Sequence, residues 1–526
     1  MSEQLLYGPP DDSTIPLTSM GKFVYEKLQE NDLNAVALVD AFSGDTLTYG
    51  ELLNESIQVA IALKNHGIKK GDKIAIASEN TIRYCVPLIA SLYIGSILCP
   101  SNPMYVTREM IHSTNLTKPK LVFTSTLCLK TILEVKSQVD YIEKVIVFGE
   151  TGDGAVIRYQ DFIKVDEDVK NFQPVDLDVD CLQSILLSSG TMGLPKGVML
   201  SHRNLRVTLH YLHEDEYAGM TKGDVIIGVV PCFHVFGLFC TLGAITFSTK
   251  VVVMGTFKPD VFLKSIQTYK VTRLFVVPPI AIFLAKHPIV SSFDVSSIKA
   301  IFCSAAPLGH DIQEMLEKRL GVVRQAYGLT EICGVATAQV KNCTKPGTAG
   351  RLILGLVAKV IDIDTGKPVG VNQRGEMCFK GSMVTQGYYG DKEATKMTFD
   401  EDGFLHSGDV AYYDEDGDFF IVDRLKELIK YKGFQVPPAE LEDILISHPS
   451  VKEAGVVGKQ DERAGEVPVA FVVKQSNAEV SEQELVEYVS SRVSEQKRLY
   501  GGIIFLDELP KTQSGKILRR KLRELL

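Results

Sequence analysis

Short runs of apolar residues alternate along the chain with segments whose apolar residues recur at helical spacing. KIAIAS (73–78) precedes VPLIASLYIGSIL (86–98), and KAIFCSAAP (299–307) precedes a segment with apolar residues at positions 312, 315, 316 and 320. Continuous apolar strands between helices are typical of mostly parallel sheets that are covered on both faces. The first part of the chain is therefore predicted to be an α/β domain with doubly wound sheets.

The pattern changes near residue 423. Before this point strands and turns are dense, as in DEDGDFFIVD (414–423), where acidic turn residues precede an aromatic and aliphatic strand. After a charged segment, Pro437 and Pro438 suit the start of a helix, and Ser481 with Glu484 matches a helix capping box. The sequence predicts a large domain, residues 1–423, with a smaller β-rich part, and a small α+β domain, residues 427–526.

One uncharged stretch is long enough to cross a bilayer. It is VIIGVVPCFHVFGLFCTLGAITF, the 23 residues from Val225 to Phe247, and about 20 apolar residues suffice for a membrane helix. Pro231, His234 and three glycines interrupt it. We therefore predict a buried strand (VIIGVV), a break (PCFHVFG) and a core helix, and no membrane span.

Composition and charge exclude some partners. The 526 residues carry a formal net charge of −9, so no overall positive field attracts nucleic acid or an anionic membrane. The ten cysteines show no metal-ligand spacing and lie mostly in apolar runs, which predicts buried thiols in a reducing compartment. We expect a monomer or a weak homodimer.

The termini carry no recognised address. The N-terminus lacks a basic start followed by an apolar core, and the chain ends in RKLRELL, which is not an SKL-type peroxisomal signal. We therefore expect a cytoplasmic protein, with the peroxisome left open if the native C-terminus extends further.

The first candidate site is SSGTMGLPKG (188–197), a loop of glycines, hydroxyl groups and one lysine. It lacks the spacing of the usual phosphate loop, in which a glycine and four residues precede Gly-Lys-Ser/Thr. Glycines still let backbone N–H groups approach a phosphate, hydroxyl groups donate to its oxygens, and a lysine adds a cation. The candidate phosphate contacts are Ser188, Ser189, Gly190, Thr191, Gly193 and Lys196.

The position of this loop supports a ligand site. It follows a strand that ends near Leu187 and precedes a helix that starts near Ser201, so it is predicted to join a strand to a helix, where ligands of open α/β sheets usually bind. The alternative is a flexible turn without a ligand.

Four further motifs contain residue types suited to a nucleotide and a carboxylate. In YGLTE (327–331), Tyr327 can stack on a base and Glu331 can ligate Mg²⁺. Asp409 in SGD (407–409) can accept ribose hydroxyls. Lys516 in PKTQSGK (510–516) is either a mobile cation or part of a solvated basic tail, and His234 is either an orienting group or a satisfied core residue. For the tyrosine and the aspartate, an ordinary turn is the structural alternative.

Together and in this order, these motifs resemble those of the adenylate-forming enzymes, which include acyl-CoA synthetases, 4-coumarate–CoA ligases and beetle luciferases. The matching segments run over nearly the whole chain and are SSGTMGLPKGV, PCFHVFG, CSAAPLG, QAYGLTE, LHSGD, VDRLKELIKYKGFQVPPAELE and PKTQSGK. The long segment at residues 422–442 is very specific. The chain resembles insect luciferases and luciferase-like acyl-CoA synthetases in particular.

The resemblance implies a two-step reaction that uses ATP, Mg²⁺ and coenzyme A. A carboxylic acid substrate attacks the α-phosphate of ATP, pyrophosphate leaves and an acyl-adenylate forms. The thiol of coenzyme A then attacks the acyl carbon and AMP leaves. The resemblance also implies that the small domain is a mobile lid, which turns between the two steps about a hinge at residues 424–426 that contains Lys426.

By motif, the resemblance assigns residues to these steps. Thr330 would contact the α-phosphate and Glu331 would help hold Mg²⁺. Lys516 would contact the acyl carboxylate and the α-phosphate during adenylation, whereas Lys430 and Gly433 would enter the site for thioester formation. The residues implied at the nucleoside are Ser304, Ala305, Ala306, Pro307, Gln325, Tyr327, Gly328, Asp409 and Arg424.

Some positions depart from the family pattern. Met192 stands where the family usually has threonine, so one donor to phosphate is missing from the loop. Thr208 stands where luciferases place an arginine, Val235 replaces a glycine, and Ser304-Ala305 replaces two glycines. These last changes touch the acyl pocket and argue against strong light emission.

The acyl pocket implied by the resemblance is mostly apolar. We therefore expect a medium- or long-chain fatty acid as substrate, with a hydroxycinnamate-like acid left open. The alternatives are a luciferase-type monooxygenase that oxidises luciferyl-adenylate with O₂, and a non-catalytic nucleotide- or acyl-binding relative. The implied pocket residues are Thr208, Val235, Phe236, Cys240, Gly334 and Val335.

Overall fold

A computed structural model of the chain shows a large N-terminal domain and a small C-terminal domain. In the described part of the chain, the large domain contains three sheets and the small domain a fourth. The described residues are 4–11, 15–167, 169–188, 195–341, 345–432, 434–461, 463–476, 478–512 and 515–526.

The strands are short and are numbered in chain order. In the large domain they are β1 (Leu6–Tyr7), β2 (Val36–Asp40), β3 (Thr46–Thr48), β4 (Lys73–Ala77), β5 (Ile97–Ser101), β6 (Leu121–Thr124), β7 (Lys144–Val147), β8 (Ile157–Arg158), β9 (Leu182–Ser188), β10 (Lys196–Ser201), β11 (Val225–Gly228), β12 (Lys250–Val253), β13 (Arg273–Val276), β14 (Ala300–Cys303), β15 (Val323–Tyr327), β16 (Thr337–Ala338), β17 (Arg351–Leu352), β18 (Leu356–Ile361), β19 (Gly375–Gly381), β20 (Leu405–Tyr413) and β21 (Phe419–Arg424). In the small domain they are β22 (Ile429–Tyr431), β23 (Phe434–Val436), β24 (Val451–Asp461), β25 (Gly465–Lys474) and β26 (Ile503–Phe505).

The helices are numbered in the same way. They are α1 (Met20–Gln29), α2 (Tyr49–Asn65), α3 (Cys85–Ile94), α4 (Thr107–Thr117), α5 (Thr126–Lys136), α6 (Tyr159–Phe162), α7 (His202–His213), α8 (Val235–Thr246), α9 (Pro259–Tyr269), α10 (Pro278–Lys286), α11 (His310–Leu320), α12 (Lys392–Thr398), α13 (Pro438–Ser447), α14 (Glu482–Ser490) and α15 (Arg519–Arg523). Single 3₁₀ turns lie at Val169–Asn171, Pro288–Ser292, Thr330–Ile332 and Glu495–Lys497.

Two sheets of the large domain are mostly parallel and alternate with helices, as predicted. One has the strand order β10-β9-β5-β4-β6-β7-β8 and the other β17-β16-β15-β14-β13-β11-β12-β2-β3. Antiparallel pairs occur only toward their edges, among the described strands. The parallel strands are buried because helices cover both faces, which explains their continuous apolar runs.

The β-rich part is an antiparallel sheet with the order β1-β18-β19-β20-β21. In this sheet Asp409 on β20 is the register partner of Arg424, the last residue of β21. One turn, at 425–427, then leads to β22, which belongs to the sheet of the small domain. The chain thus passes from the large to the small domain immediately after Arg424. Arg424 and its register partner Asp409 are both candidate site residues.

The small domain has the strand order β23-β22-β25-β24, with β26 parallel to β25. Its helix α13 begins at Pro438, as the proline pair predicts, because proline is tolerated in a first turn. Helix α14 begins after Ser481, whose hydroxyl accepts a hydrogen bond from the Glu484 N–H at 3.1 Å. Both helix starts were predictable from local sequence.

The uncharged stretch at 225–247 folds as predicted into strand β11, a break and helix α8. In the part of the chain that the structure describes, no helix is long and apolar enough to cross a membrane. The nine described cysteines are all free, and eight of them are buried.

One prediction about the first candidate site was wrong. The loop 188–197 does not join a strand to a helix; it joins β9 to β10, which pair antiparallel with Lys196 opposite Ser188. The helix predicted to start near Ser201 is confirmed, because α7 begins at His202 with Ser201 as its cap. The short run that follows the loop is buried as a strand, with Val198 and Leu200 fully covered. Strand β10 therefore forms the edge of the sheet, antiparallel to β9.

Candidate active site

Segments far apart in sequence meet beyond the ends of β14 and β15. The hydroxyl of Ser304, after β14, donates to the Ala326 carbonyl at 2.8 Å. The phenol of Tyr327, the last residue of β15, donates to Asp409 Oδ2 at 2.6 Å. Three separate motifs, CSAAPLG, QAYGLTE and LHSGD, are thus in direct contact.

The turn at 304–307 has a fixed shape. Ala305 has φ +77°, in the left-handed region where residues other than glycine are uncommon. Gln325 holds the end of this turn, because its side chain donates to the Leu308 carbonyl at 2.9 Å and accepts from the Leu308 N–H at 3.0 Å. Gln325 also donates to Gln313 at 2.7 Å. The side-chain amide of Gln325 therefore stabilises the turn.

Asp409 lies between a tyrosine and an arginine. Besides the Tyr327 contact, its Oδ1 is 3.4 Å from Arg424 Nε. Burial raises the pKa of Asp409, and Arg424 and Tyr327 oppose this by favouring the carboxylate. Burial and the Asp409 charge raise the pKa of Tyr327 well above its usual range, so the phenol stays protonated. The aspartate is therefore a fixed acceptor at the edge of the site.

The YGLTE segment is folded tightly against the chain that follows it. A Cβ on Gly328 would lie 2.1 Å from the Gly334 carbonyl oxygen, so only glycine fits there. The 3₁₀ turn at Thr330–Ile332 buries Thr330, and the described residues provide no hydrogen-bond partner for its hydroxyl. That hydroxyl remains available to a ligand.

Tyr388 connects Glu331 with the first candidate loop. Its phenol donates to Glu331 Oε1 at 3.0 Å, and Lys196 Nζ lies 4.8 Å from the centre of its ring. Burial raises the pKa of Glu331, and the bond from Tyr388 opposes the shift. Sequence analysis did not identify this tyrosine, which lies in the segment GYYGD (387–391). Ser188 is buried at the end of β9.

Part of the first candidate loop lies outside the described residues. The predicted phosphate contacts in that part are Ser189, Gly190, Thr191 and Gly193, together with the departure Met192.

Lys516 brings the small domain into this site. It is half-buried, and burial and the nearby Arg424 lower its pKa to about 8, while Asp409 and Glu331 act in the opposite direction. The alternative of a solvated basic tail does not fit this environment for Lys516. The lysine is a partly desolvated cation among two carboxylates and a guanidinium.

His234 lies near Lys516 at the start of α8. Burial and the Lys516 charge lower its pKa to about 3, so the ring is neutral at physiological pH. Its Nδ1 accepts from the Phe236 N–H at 3.4 Å, which leaves the proton on Nε2. His234 can therefore donate one hydrogen bond without carrying charge.

Two predicted residues, Lys430 and Lys426, lie outside the site in this orientation. The side chain of Lys430 is exposed, and its backbone N–H donates to Glu466 at 2.8 Å. Lys426 is exposed in the turn between the domains. Gly433 lies outside the described residues. In this orientation the small domain offers Lys516, and not Lys430, to the large domain.

A narrow apolar cavity of about 40 Å³ lies beside these groups. All six predicted pocket residues line it: Thr208, Val235, Phe236, Cys240, Gly334 and Val335. Sequence analysis missed four aromatic side chains that also line the cavity: Tyr211, Phe239, Phe275 and Phe302. They come from α7, α8, β13 and β14, whose facing sides only the fold reveals. Ser304, next to the nucleoside residues, also borders the cavity.

Sequence reasoning also missed the pair that shapes the turn before Asp409. Glu376 accepts from the Gly408 N–H at 2.9 Å and lies 2.9 Å from His406 Nδ1. These residues lie on neighbouring strands β19 and β20, and neither carries a local motif that marks the pairing.

Comparisons with known proteins show which family this chain is similar to. The profile of a family described as AMP-binding enzyme matches residues 25–389, and that of the AMP-binding enzyme C-terminal domain matches residues 440–516. A luciferin 4-monooxygenase of Photuris pensylvanica is 40% identical over 534 residues, covering 99% of this chain and 98% of that protein. A probable 4-coumarate–CoA ligase 3 of Dictyostelium discoideum is 38% identical and covers 91% of each chain.

Among solved structures, ATP-bound MatB from Rhodopseudomonas palustris superposes with a TM-score of 0.86. It is 28% identical, and the match covers 96% of this chain and 98% of that chain.

Proposed function

The chain belongs to the AMP-binding enzyme family, and we propose that within it the protein is an ATP-dependent acyl-CoA ligase. It would join a carboxylic acid to coenzyme A through an acyl-adenylate. The observation that carries the proposal is the environment of Lys516, a small-domain lysine among Asp409, Glu331, Arg424 and His234 of the large domain. A cation placed between a nucleotide site and an apolar cavity suits attack of a carboxylate on a phosphate.

In the first step, a carboxylate oxygen of the acid attacks the α-phosphorus, and the bond to the β-phosphate oxygen breaks. Lys516 and His234 orient the carboxylate, one as a cation and the other as a neutral donor. The hydroxyl of Thr330 is available to the α-phosphate. Asp409 holds the ribose hydroxyls, and Tyr327 lies beside the base.

Glu331 suits a magnesium ligand in this scheme. One carboxylate oxygen of Glu331 accepts from Tyr388, and Mg²⁺ prefers oxygen ligands that it shares with phosphates. When bound, the ion would neutralise charge on the phosphate oxygens. Lys196, close to Tyr388, would add a cation on the same side.

In the second step, the thiolate of coenzyme A attacks the acyl carbon and AMP leaves. Lys430 and Gly433 would enter the site when residues 427–526 turn about residues 424–426, with Lys426 in the hinge. The exposed position of Lys430 in the present orientation supports this division of labour. One domain would then serve two steps by presenting two different faces.

The substrate would be a medium- or long-chain fatty acid. The cavity wall is formed largely by aliphatic and aromatic side chains, and Val235 and Cys240 are almost fully buried. Burial of each methylene contributes about 0.8 kcal/mol, so kcat/KM is expected to rise with acyl length until the cavity is full. A hydroxycinnamate-like acid is the competing substrate class.

A luciferase activity is the second candidate, because a luciferin 4-monooxygenase shares 40% identity over nearly the whole chain. Thr208 argues against strong light, because its short uncharged side chain donates to the Cys333 carbonyl at 2.9 Å and offers no cation to an anionic luciferin. Two assays separate the activities. One measures light emission with ATP, Mg²⁺, luciferin and O₂, and the other measures thioester formation with ATP, acid and coenzyme A.

The proposal is tested by separating the two half-reactions. Lys516→Ala should lose acid-dependent exchange of pyrophosphate into ATP, yet convert supplied acyl-adenylate and coenzyme A to thioester. Lys430→Ala should show the opposite pattern. Lys459→Ala, at an exposed lysine of β24, is the matched control. Equal damage to both steps in both variants would refute the two roles, and no exchange with any acid in the native protein would refute the ligase itself.

A further inference from the structure

Helix α10 of the large domain contacts the small domain at both of its ends. At its start, a Cβ on Gly515 would lie 3.1 Å from Pro279 Cγ and 3.6 Å from Val277 Cγ2, so the loop that carries Lys516 rests on this end. At its last residue, the Lys286 ammonium donates to the carbonyl oxygen of Ile446 in α13. A helix of nine residues, about 14 Å long, thus supports two separate elements of the small domain.

Lys286 binds a carbonyl group at the C-terminal end of α13. Ile446 lies in the last turn of α13, where carbonyl groups have no partner within the helix and carry partial negative charge. Lys286 is half-buried, and it forms no ion pair with any described residue. Burial lowers its pKa, which fits a cation whose charge is met by a helix end and not by a carboxylate.

Other contacts of α13 surround this bond. The Ile446 side chain packs against apolar clusters of both domains. One turn earlier, the Asp443 carboxyl lies close to Gly309 at the start of α11, 3.1 Å from where a Cβ would be. The face of α13 that bears residues 443 and 446 is therefore the docking face of the small domain in this orientation.

We propose that Lys286 is a positioning residue for adenylation: it docks α13 and thereby holds Lys516 in the site. This inference rests on the proposed two-step ligase reaction. When the small domain turns to present Lys430, α13 leaves α10 and water solvates the Lys286 ammonium. The contact exists in one orientation only, so it stabilises one half-reaction and not the other.

The test compares Lys286→Met, which keeps the length of the side chain but removes the donor, with Lys264→Met at an exposed lysine of α9. Loss of a hydrogen bond to a charged group changes an equilibrium constant by about ten-fold. Acid-dependent pyrophosphate exchange should fall about ten-fold in Lys286→Met, while thioester formation from supplied acyl-adenylate keeps its rate. Lys286→Arg should restore exchange, because it restores a cationic donor.

A second readout does not depend on catalysis. Amide hydrogen exchange in α10 and α13 should be about ten-fold faster in Lys286→Met than in the native protein or in Lys264→Met. Ile446→Ala, which weakens the same interface from the small domain, should give the same pattern if Lys286→Met fails to fold. Equal loss of both half-reactions, or unchanged protection of both helices, would overturn the inference. If the native protein exchanges no pyrophosphate with any acid, the ligase proposal fails, and hydrogen exchange alone decides on the docking contact.

Discussion

At the scale of single residues, the environment of Lys516 predicts that the proposed adenylation step depends on pH. Its pKa is lowered to about 8, so the free enzyme loses the cation as the pH rises through 8. We predict that kcat/KM for pyrophosphate exchange falls above about pH 8, because kcat/KM reports the ionisations of the free enzyme. Measurement of this profile from pH 6 to 10 checks the prediction.

Lys516→Arg is the matched variant for that profile. Arginine stays protonated over this range, so the variant should lose the decline above pH 8, at whatever rate it retains. His234 should add no acidic limb above pH 5, because its pKa is about 3. An unchanged decline in Lys516→Arg would show that another group titrates.

Val235 offers a prediction about the acyl cavity. Its side chain is 3% exposed, and its Cγ2 lies 3.4 Å from the position that a Cβ on Gly334 would take. The valine therefore narrows the cavity. Val235→Ala should raise kcat/KM for branched and aromatic acids relative to straight-chain acids, and should destabilise the fold by about 2 kcal/mol. Val251→Ala, buried in β12 away from the cavity, should destabilise similarly without a change in preference. A panel of acids with denaturant unfolding measures both effects.

At the scale of elements, local sequence placed several helices correctly but missed one strand. Prolines, caps and apolar spacing placed α8, α13 and α14 correctly, because these signals act within one turn of a helix. The strand β10 was missed because its apolar run is short and directly follows the glycine-rich loop. Its identity as a strand depends on pairing with β9, which is not a local property.

The residues of the candidate site divide in the same way. Lys516, Asp409, Tyr327 and Glu331 were found because each lies in a long motif, and the structure brings them together. Tyr388 and Lys286 were not found, because their partners lie 57 and 160 residues away in sequence. Such contacts follow from how sheets and domains pack, and no spacing pattern encodes them.

The helices α13 and α15 carry a prediction about stability. Arg519 binds Glu442 through two bonds of 2.7 and 3.2 Å, and both side chains are largely buried, at 17% and 10% exposure. Arg519→Met should lower the free energy of unfolding of the small domain by about 3 kcal/mol, because it leaves a buried carboxylate unpaired. Denaturant unfolding measures this loss.

Two further variants test that explanation. Arg519→Met combined with Glu442→Gln should recover much of the loss, because no unpaired charge remains. Arg520→Met, at a neighbour that is 84% exposed, should change stability by less than about 0.5 kcal/mol. If the double variant recovers no stability, the lost free energy of unfolding comes from the packing of the arginine side chain and not from an unpaired charge.

At the scale of the whole molecule, the reaction would require the small domain to turn, and the composition allows this to be observed. The chain contains no tryptophan, so one introduced indole reports alone. Phe434 is 55% exposed and pairs with Tyr431, the residue after Lys430, so it should approach the large domain for thioester formation. We predict that emission of Phe434→Trp shifts to shorter wavelength when coenzyme A joins the acyl-adenylate complex, and not with ATP alone.

Phe42→Trp is the matched control for that experiment. Phe42 lies on the large domain and is 48% exposed, so its emission should not respond to coenzyme A. A shift in both variants would indicate a general solvent effect, and a shift in neither would contradict rotation of the small domain.

The hydrogen bond from Lys286 to α13 would limit the rate of turnover as well as hold the small domain in position. A stronger bond would keep the domain longer in the first orientation and delay the arrival of the thiol, whereas a weaker one would leave the first orientation too rarely occupied. Complete turnover, plotted against the strength of this contact, should therefore pass through a maximum. A fast catalyst of this design needs an interface that is loose enough to part once in every cycle.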